Sequence, residues 1–445
     1  MSQTLILACD IGTSGVKTTL VRSDGTVFAS KTEAYPTYSP QPGWSEQNPE
    51  HWWEGFCKSA HYLFQMHPEA AEQVAAIGVS GHMIGCLPVN DMGEPLCHAM
   101  IHSDMRASSQ SDKIAALIGK RKVYEITGNI LESRSPVCKI LWLKENRQDI
   151  YNKAYRFLQS KDYISGKLTG NFDATDYSDA SHGQFINIST GKYDDYLLEV
   201  GIPLSKLPQL HRGIDKAGTL TKEAAAMLGL KEGIPVAVGA GDGACANVGA
   251  GVVMPGDVYA CIGTTAWIAY VNTKPVFDPE NRLFNYTSAD GVNCCVVGTV
   301  QSAGKTIQCI TDVFEEKDLK KFDQMVESVE PGCNGLVFLP YLEGERSPVF
   351  DSNAKGVFFG INPLHRKEHF MRAAMEGVSM ALRQVADVFR ETMNLQELRV
   401  IGSGAKSMTW KKMLAQIGLF DVLDINVSGE DGTSLGSAII GGVAA

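Results

Sequence analysis

The chain has 445 residues, a formal net charge of −10 at pH 7, and 44% hydrophobic against 20% charged residues. A chain of this length exceeds one ordinary hydrophobic core, so two domains are expected in a globular protein. The acidic balance, without any block of Lys and Arg, excludes a basic nucleic-acid-binding surface. No apolar run reaches the ~20 residues that span a bilayer.

The cysteines and the start of the chain indicate a cytoplasmic protein. Eleven cysteines are scattered without a Cys-x-x-Cys pair, which favours reduced thiols over disulfides or a zinc site. The chain begins directly with a strand-like segment, and no signal peptide is visible there. The histidines lack the spacing of a tight metal site.

The first half of the chain opens with three predicted strands. Alternating apolar residues predict a meander with strands at Leu5–Asp10, Val16–Arg22 and Thr26–Ser30. Helical patterns follow from about Pro49 to Met66 and again after Ala107. A buried strand that breaks into a Gly-containing loop lies between those two helical patterns.

The pattern of predicted elements becomes clear again near residue 234. The segment "IPVAVGAGDGACANVGAG" predicts a strand, a Gly loop and a small-residue helix, and "GDVYACIGTTAWIAYV" predicts a hairpin. Later, "LRVIGSGAKSMTWKKMLAQI" predicts a strand, a small-residue turn and an amphipathic helix. The segment "DGTSLGSAIIGGVAA" predicts a tightly packed small-residue helix.

Two hairpin tips repeat along the chain. "LACDIGTSGVKTTLV" and "YACIGTTAWIAYV" both read as a strand, Ile-Gly-Thr-Ser/Thr, and a second strand. Such self-similarity predicts a duplicated architecture. We therefore expect two similar α/β domains, residues 1–248 and 249–445, with both tips facing a cleft between them.

Either tip alone is compatible with an ordinary polar hairpin. Glycine lets a backbone approach an anion, and consecutive N–H groups with Ser or Thr hydroxyls form an anion-binding nest, so the repetition favours a phosphate clamp. Asp10, at the end of the first strand, would repel a bare phosphate. Its position is favourable if Mg²⁺ lies between the two.

The loop "GAGDGACANVG" places an acid before a helix. A weak dinucleotide-binding pattern is present there, but Asp242 would repel a pyrophosphate. A carboxylate at a helix N-terminus can instead accept a proton from a hydroxyl. A simple helix-capping role for Asp242 is equally compatible with the local pattern.

Two further Gly-rich segments have competing interpretations. "GTVQSAGKT" (298–306) is similar to a P-loop, but five residues separate Gly298 from Gly304 where a P-loop has four. The turn from Gly402 to Ala405 leaves room for a flat group such as a purine, and it is also compatible with an ordinary strand-to-helix turn.

Taken together, these segments resemble the FGGY carbohydrate kinases over essentially the whole chain. The resemblance rests on "DIGTSGVK", "IGTTAW", "GAGDGACANVGAG", "KILWLKEN", "GVFFGINPLHRKEHFMRAAMEG", "YLEGERSP", "DATDYSDAS" and "GSGAKS". Val357 stands where that family usually has a smaller residue. The resemblance implies an α/β fold of two ribonuclease H-like, actin-like ATPase domains with an active-site cleft between them. It also implies ATP-dependent phosphorylation of a sugar or polyol hydroxyl.

The resemblance further implies residue roles. Asp242 aligns with the catalytic base and Asp10 with the acid near Mg²⁺. The residues implied to contact ATP are Gly12, Thr13, Ser14, Lys17, Gly263, Thr264, Thr265, Gly402, Gly404 and Ala405. Those implied to contact the sugar are His82, Met83, Asp104 and Asp242.

Within the family, the segments "YLEGERSP" and "DYSDAS" are most similar to the xylulokinase-like branch. This similarity implies a ketopentose such as xylulose as acceptor. Ile84 replaces a usual His of that branch, His82 a usual Gln, and Gly243 a frequent Asn. Lost polar contacts disfavour xylulose itself, so gluconate or another ketose or polyol stays open. The Arg-Glu pair of glycerol kinases near residue 83 is absent.

Two other classes of protein also stay open from the residues alone. One is a non-catalytic actin-like nucleotide-binding protein, and the other is a P-loop NTPase using Lys305.

The expected partners are ATP, Mg²⁺ and a sugar, with no nucleic acid and no membrane, and a homodimer stays open. Family members usually continue beyond "GTSLGSAIIGGVAA", so we expect the C-terminal domain to lack a closing helix.

Overall fold

The computed structural model describes residues 4–423 and 432–445. In chain order its strands are β1 (Leu5–Ile11), β2 (Gly15–Arg22), β3 (Val27–Ala34), β4 (Glu46–Gln47), β5 (Val74–Gly81), β6 (Leu87–Val89), β7 (Ala99–Met100), β8 (Arg156–Leu158), β9 (Ala174–Asp176), β10 (Ile186–Asn187), β11 (Lys192–Tyr193), β12 (Gln209–His211), β13 (Lys216–Thr219), β14 (Pro235–Ala237), β15 (Ala240–Gly241), β16 (Val258–Ile262), β17 (Ala266–Asn272), β18 (Phe284–Thr287), β19 (Cys294–Val300), β20 (Val337–Leu339), β21 (Val357–Phe359), β22 (Glu397–Ile401) and β23 (Asp421–Leu423). Its α-helices are α1 (Pro49–Met66), α2 (Ser108–Leu117), α3 (Lys120–Thr127), α4 (Pro136–Asn146), α5 (Gln148–Lys153), α6 (Ser160–Thr169), α7 (Tyr177–His182), α8 (Tyr196–Glu199), α9 (Lys222–Leu228), α10 (Asp242–Gly249), α11 (Gly304–Val313), α12 (Leu319–Glu327), α13 (Lys367–Arg390), α14 (Met408–Gly418) and α15 (Gly432–Ala444).

Two mixed sheets organise the described residues. The strand order of the first is β13-β14-β5-β1-β2-β3 with β15 beside β5, and that of the second is β18-β19-β17-β16-β22-β23. Each contains an antiparallel meander, β1-β2-β3 or β16-β17-β19, and a parallel strand next to its first member, β5 or β22. The duplicated α/β architecture predicted from the two tips is therefore confirmed.

The first elements follow the sequence pattern closely. Helix α1 occupies the predicted span because Asn48 caps it, accepting the Glu50 N–H at 3.1 Å, and Pro49 needs no N–H partner in the first turn. Strand β3 runs past the predicted end to Ala34, which lies opposite Gly15 on β2. The last residues of β3 are mostly polar, so a pattern of alternating apolar residues does not reveal where the strand ends.

Each sheet has its own apolar core. Trp52 and Phe56 of α1 lie in the core of the first sheet with Leu7 of β1, and a long helix, α13, covers the second sheet. The region between β6 and β12 adds a third, largely helical core. Among residues 4–423 and 432–445, no helix combines the length and apolar character needed to cross a bilayer.

Helices α10 and α15 cross between the two sheets. Helix α10 follows β15 of the first sheet, yet its residue Cys245 lies in one apolar cluster with Tyr259 of the second sheet. Helix α15 follows the second sheet along the chain, yet its residue Ala438 clusters with Ala8 and Val21 of the first sheet. Each helix therefore packs against the sheet of the other half.

Small residues allow these helices to touch. A Cβ at Gly436 of α15 would lie 1.8 Å from the Cys245 carbonyl oxygen of α10, and a Cβ at Gly78 of β5 would lie 1.9 Å from the Ser437 carbonyl oxygen. The backbones are thus in direct contact, which only glycine permits at these positions. The predicted small-residue helix is present from Gly432, while Asp431 lies outside the described residues.

Candidate active site

The carboxyl ends of β1, β5 and β15 meet at one edge of the first sheet. Asp10 on β1 lies opposite Ser80 on β5, and Ser80 lies opposite Ala240 on β15. Asp242 follows β15 directly and is the first residue of α10. The strand register therefore brings Asp10 and Asp242 to the same place, although they are far apart in the sequence.

Both acids hold protons more tightly than isolated carboxyl groups do. Burial raises the pKa of Asp242 to about 7, the charge of Asp10 adds to the rise, and the Gly243 N–H opposes it by donating to Asp242 Oδ1 at 2.8 Å. Burial raises the pKa of Asp10 to about 6, against the opposing influence of Ser80 and Lys17. Asp242 therefore titrates near neutral pH, where a general base is most effective.

The first predicted tip closes the β1–β2 hairpin and is braced from outside. The Gln47 side-chain amide donates to the Thr13 carbonyl oxygen at 2.7 Å. Tyr35 donates its N–H to the Ser14 carbonyl oxygen at 3.3 Å and its hydroxyl to the Gly12 carbonyl oxygen. Thr13 and Ser14 are exposed, so their hydroxyls are accessible to a ligand.

The second predicted tip closes the β16–β17 hairpin and is braced by the start of α11. The Gly263 N–H donates to the Thr265 carbonyl oxygen at 2.9 Å. The Gly304 N–H donates to the Gly263 carbonyl oxygen at 2.8 Å, and the Ala303 N–H to the Thr264 carbonyl oxygen at 3.0 Å. A Cβ at residue 304 would lie 2.5 Å from the Gly263 carbonyl oxygen, so this approach requires glycine.

The segment similar to a P-loop, residues 298–306, provides that brace. The Lys305 N–H donates to the Thr264 carbonyl oxygen at 3.2 Å, and the Lys305 ammonium pairs with Glu343. The N–H groups at the start of α11 are thus directed at protein carbonyls. These contacts argue against the P-loop alternative.

The third predicted nucleotide segment turns at the carboxyl end of β22, which lies parallel to β16. Gly402 has a φ of 92°, and a Cβ there would lie 2.5 Å from the Ile262 carbonyl oxygen. A Cβ at Gly404 would lie 2.5 Å from the Ile262 side chain, and Ala405 next to it is half-buried. The turn therefore lies directly against the strand that ends in the second tip.

A cavity of about 280 Å³ lies between the two tips. The predicted residues that line it are Thr13, His82, Met83, Asp242 and Thr265. The predicted residues outside its lining are Asp10, Gly12, Ser14, Lys17, Asp104, Gly263, Thr264, Gly402, Gly404 and Ala405. The lining also includes side chains to which the sequence motifs assigned no role, among them His102, Arg134, His182, Phe284, Thr299 and Arg346.

His82 is a neutral group in the cavity wall. Its ring packs edge-on against Trp52 with the centroids 5.4 Å apart, and burial lowers its pKa to about 3. Neither ring nitrogen has a hydrogen-bond partner within the part of the chain that the structure describes. The Ser160 hydroxyl donates to the His82 carbonyl oxygen at 3.0 Å, which fixes the backbone at this point.

Ile84 has a strained backbone at the cavity wall. Its φ of 53° lies in the left-handed region, which β-branched residues rarely adopt. The buried Lys139 ammonium donates to the Ile84 carbonyl oxygen at 2.8 Å and to the Ile101 carbonyl oxygen at 2.7 Å, and so holds this conformation. Met83, just before it, packs against Gly241, where a Cβ would lie 2.5 Å from the Met83 side chain.

Asp104 is occupied by protein partners. Arg106 donates to both of its carboxylate oxygens at 2.6 to 3.0 Å, and the Ser45 N–H donates to Oδ2 at 2.7 Å. The Arg106 guanidinium in turn lies 3.6 Å from the ring centroid of Trp44. In the structure the Asp104 carboxylate holds the Arg106 side chain in place. Direct contact between Asp104 and a sugar stays a prediction.

Two of the unassigned lining residues lie in or beside segments that carried the family resemblance. Arg346 belongs to "YLEGERSP" and His182 directly follows "DATDYSDAS". His182 stacks on Phe284, with ring centroids 5.2 Å apart and an interplanar angle of 8°. A charged residue inside such a segment is the signal that could have identified Arg346.

Comparison with known proteins covers nearly the whole chain. Residues 5–249 match the N-terminal domain model, and residues 258–445 the C-terminal domain model, of the FGGY family of carbohydrate kinases. The chain is 31% identical to the xylulose kinase of Bacillus subtilis, over 98% of this chain and 87% of that protein. It is 28% identical to the gluconokinase of the same species, over 98% and 86%. A crystal structure of a "xyloylose kinase" from Brucella ovis superposes with a TM-score of 0.92 at 27% identity, covering 99% of this chain and 90% of that one.

Proposed function

The chain belongs to the FGGY family of carbohydrate kinases and is an ATP-dependent sugar kinase, and we propose that Asp242 deprotonates the sugar hydroxyl that receives the phosphate. The observation that carries this proposal is the position of Asp242, on the wall of a sugar-sized cavity between two Gly-Thr tips. Phosphoryl transfer depends mostly on positioning and charge neutralisation, and this arrangement supports both.

Asp242 is suited to accept the proton because its carboxylate is more basic than usual. Burial and the neighbouring Asp10 raise its pKa to about 7. In the transition state the acceptor hydroxyl becomes acidic as its oxygen bonds to phosphorus, and a base with a pKa near the working pH takes the proton efficiently.

The nucleotide is proposed to lie with its phosphates between the two tips. Thr13 and Ser14 on the first tip and Thr264 on the second are exposed and offer hydroxyl and N–H donors to phosphate oxygens. Lys17, opposite Asp10 in the β1–β2 pair, adds a positive charge. The turn that contains Gly402, Gly404 and Ala405 is proposed to hold adenosine.

The residues at the sheet edge fit a magnesium ion held jointly with ATP. Asp10 Oδ1 is buried and lacks a hydrogen-bond partner among the described residues, and carboxylate oxygen is a ligand that Mg²⁺ prefers. No group of three or more His, Cys, Asp or Glu in residues 4–423 and 432–445 is arranged to hold a metal ion, so phosphate oxygens would complete the ligand set. The ion would neutralise charge on the phosphates.

The acceptor proposed from the family branch is a ketopentose such as xylulose. Xylulose kinases are among the relatives that match nearly the full chain. A sugar acid is the second candidate, because Ile84 and Gly243 lack the polar side chains of the xylulokinase pattern and because Arg346 lines the cavity. Closure of the two halves over the bound sugar would exclude water, the competing acceptor.

Asp242→Asn tests the proposed base. We expect it to lower kcat by about 1,000-fold while ATP binding stays intact, because the change removes only the proton acceptor. ADP release in a coupled assay with ketoses, polyols and aldonates, followed by mass spectrometry of the product, measures this. The control is Asp149→Asn, an exposed acid paired with Arg147, which should retain wild-type rates.

Two outcomes would contradict the proposal. Failure of every sugar in the panel to stimulate ADP release would favour a non-catalytic nucleotide-binding protein. An unchanged kcat in Asp242→Asn would show that Asp242 is not the proton acceptor, although the protein would still be a kinase.

A further inference from the structure

One loop contacts both the cavity and the chain segment that braces the second tip. The loop, residues 340–356, connects β20 to β21 and contains the segment "YLEGERSP", to which the sequence motifs assigned no site residue. Arg346 of this loop lines the cavity, and so does Thr299 near the end of β19. The Ser347 N–H donates to the Thr299 carbonyl oxygen at 3.0 Å. The loop and the end of β19 therefore form one joined part of the cavity wall.

Glu345 makes a second connection between the loop and the chain that leaves β19. Its side chain is buried, with the residue 5% exposed. Glu345 Oε1 accepts the Gln301 N–H and the Arg346 N–H, each at 2.7 Å. Burial raises the pKa of Glu345, and the two N–H donors oppose the rise because they stabilise the ionised form. One carboxylate oxygen thus holds two backbone segments together.

The backbone that carries this carboxylate is itself hydrogen-bonded. The Glu345 N–H donates to the Asp351 carbonyl oxygen at 2.8 Å, and the Asp351 N–H donates to the Glu345 carbonyl oxygen at 3.1 Å. The Phe350 N–H donates to the Arg346 carbonyl oxygen at 2.7 Å. These bonds close residues 345–351 into a small hairpin. A displacement of Arg346 in the cavity wall is therefore shared with Gln301 through Glu345.

The chain reaches the brace of the second tip directly after Gln301. The Ala303 N–H donates to the Thr264 carbonyl oxygen at 3.0 Å, and the Gly304 N–H donates to the Gly263 carbonyl oxygen at 2.8 Å. Only one residue, Ser302, separates Gln301 from the first of these donors. Short hydrogen-bonded links therefore connect the cavity wall to the proposed phosphate site.

We propose that Glu345 is a positioning residue, whose carboxylate fixes the cavity wall relative to the second tip and so couples binding of the acceptor to binding of the nucleotide. In-line phosphoryl transfer requires the acceptor oxygen and the γ-phosphorus to be held in one geometry, and small displacements slow the reaction strongly. Glu345 is not among the residues that line the cavity, so it acts through Arg346 and Gln301. The proposal rests on the proposed kinase function and adds a residue to it.

The binding test measures each ligand with and without the other by isothermal titration. The probes are adenylyl imidodiphosphate, an ATP analogue that is not hydrolysed, and either xylulose or gluconate, whichever the wild type phosphorylates faster. The coupling factor is the ratio of the dissociation constants of the analogue without and with the sugar. We expect ~5-fold or more in the wild type, with the same factor for the sugar when the analogue is present. In Glu345→Ala the factor should fall to ~1, because the wall and the tip are no longer joined.

Two conservative variants separate position from charge. Glu345→Gln keeps an oxygen that can accept both N–H groups, so it should retain most of the coupling factor and of kcat although the hydrogen bonds are weaker. Glu345→Asp keeps the charge but is one methylene shorter and cannot reach both donors. It should therefore behave like Glu345→Ala, with kcat lowered ~10-fold or more and the KM values for ATP and sugar both raised.

Two other acids serve as controls. Glu343→Ala removes an exposed acid of the same loop, which pairs with Lys305, and it should keep the wild-type coupling factor. Glu376→Gln changes a buried acid of α13 that accepts the Gly332 N–H at 3.1 Å and pairs with Arg372. This variant should lose stability in a thermal unfolding scan and still keep the coupling factor, which shows that lost stability alone does not abolish the coupling.

Three outcomes would overturn the inference. A coupling factor near 1 in the wild type, or an unchanged factor in both Glu345→Ala and Glu345→Asp, would leave Glu345 with a structural role only. Retention of the factor in Glu345→Asp together with its loss in Glu345→Gln would assign the effect to charge. Failure of the proposed function is a different result, in which the wild type phosphorylates neither sugar. Binding of the analogue alone, which Glu345→Asp should weaken through the second tip, still tests the connection in that case.

Discussion

At the scale of single residues, the site keeps two acids where their charges are unfavourable. Asp10 and Asp242 meet at one sheet edge, and burial raises the pKa of both carboxyl groups. Groups with such shifts reduce stability at the pH where they must ionise, and active sites retain them because the reaction uses them. The proposed base is therefore expected to have a measurable effect on stability.

Asp242→Asn is expected to raise the free energy of unfolding at pH 8 by ~1–2 kcal/mol and at pH 5 by roughly a third of that, because only the lower part of the titration window has been crossed there. The folded-state pKa of about 7 exceeds the usual value of 3.8, so the folded protein binds more protons in this range. Its stability consequently falls as the pH rises through the window between these values. Urea unfolding at the two pH values measures the difference.

The same exposed-acid substitution, Asp149→Asn, serves as the control for that experiment. It removes a carboxylate that is paired at the surface with Arg147, and it should give no gain in stability at pH 8. An equal effect of Asp242→Asn at pH 5 and pH 8, or a loss of stability at pH 8, would contradict the assigned pKa shift.

At the scale of elements, two similar hairpins are held by different means. Side chains of Gln47 and Tyr35 brace the first tip, while backbone N–H groups at the start of α11 brace the second. The second brace depends on the absence of a side chain at Gly304. The α11 terminus therefore shapes the proposed phosphate site without facing the cavity.

Gly304→Ala is expected to raise the KM for ATP by ~10-fold and to reduce stability by ~1–3 kcal/mol, because the added methyl group pushes the second tip from its position. Steady-state kinetics with varied ATP and a thermal unfolding scan measure the two effects.

Lys305→Ala, one residue further along, separates this explanation from the P-loop alternative. The Lys305 ammonium pairs with Glu343 at the surface, so its removal should leave the KM for ATP within ~2-fold of the wild-type value, as for most exposed ion pairs. A large loss of ATP binding in Lys305→Ala would instead support a P-loop role for this residue.

At the scale of the whole molecule, the crossed pair of α10 and α15 connects the two sheets. Because α10 begins with Asp242 and packs against the second sheet, the proposed base is attached to both halves. The contact between these helices has no space for a side chain at Gly436. Any movement of one half relative to the other must therefore preserve or break the close contact between α10 and α15.

Gly436→Ala is expected to lower the free energy of unfolding by ~3 kcal/mol, since its Cβ would overlap the α10 backbone. Gly442→Ala on the same helix is the matched control, because a Cβ there meets only the end of the Ile6 side chain, at 2.9 Å. That control should stay within ~1 kcal/mol of wild type, as the alanine also favours the helix. Equal effects of both changes would contradict the proposed crossing contact.

Local patterns predict the frame of the molecule well. The hairpins around Gly12 and Gly263, helix α1 and the small-residue α15 all follow from periodicity, caps and glycine spacing. The approach of Asp10 to Asp242 could be inferred only through the family resemblance, because it depends on strand register between distant segments.

The meeting of the basic side chains on the cavity wall could not be predicted from local patterns. Arg134, His182 and Arg346 come from three separate regions and meet only in the folded chain. Asp104 illustrates the converse, since its sequence context gave no sign that Arg106 and Ser45 occupy its oxygens. The three cavity residues meet through long-range packing, whereas Asp104 is bound both by Arg106, two residues away, and by the distant Ser45.

The exchange of helices between the halves has a consequence for synthesis on the ribosome. The face of the first sheet that carries Ala8 and Gly78 is covered by α15, which is translated only after β23, the last described strand of the second sheet. Residue 248, the boundary predicted from the sequence, lies within α10, so a chain that ended there would lack both α15, which covers the sheet, and the second sheet, against which α10 packs. The first half is thus expected to reach its final packing late, and separately expressed halves should fold properly only when they are produced together.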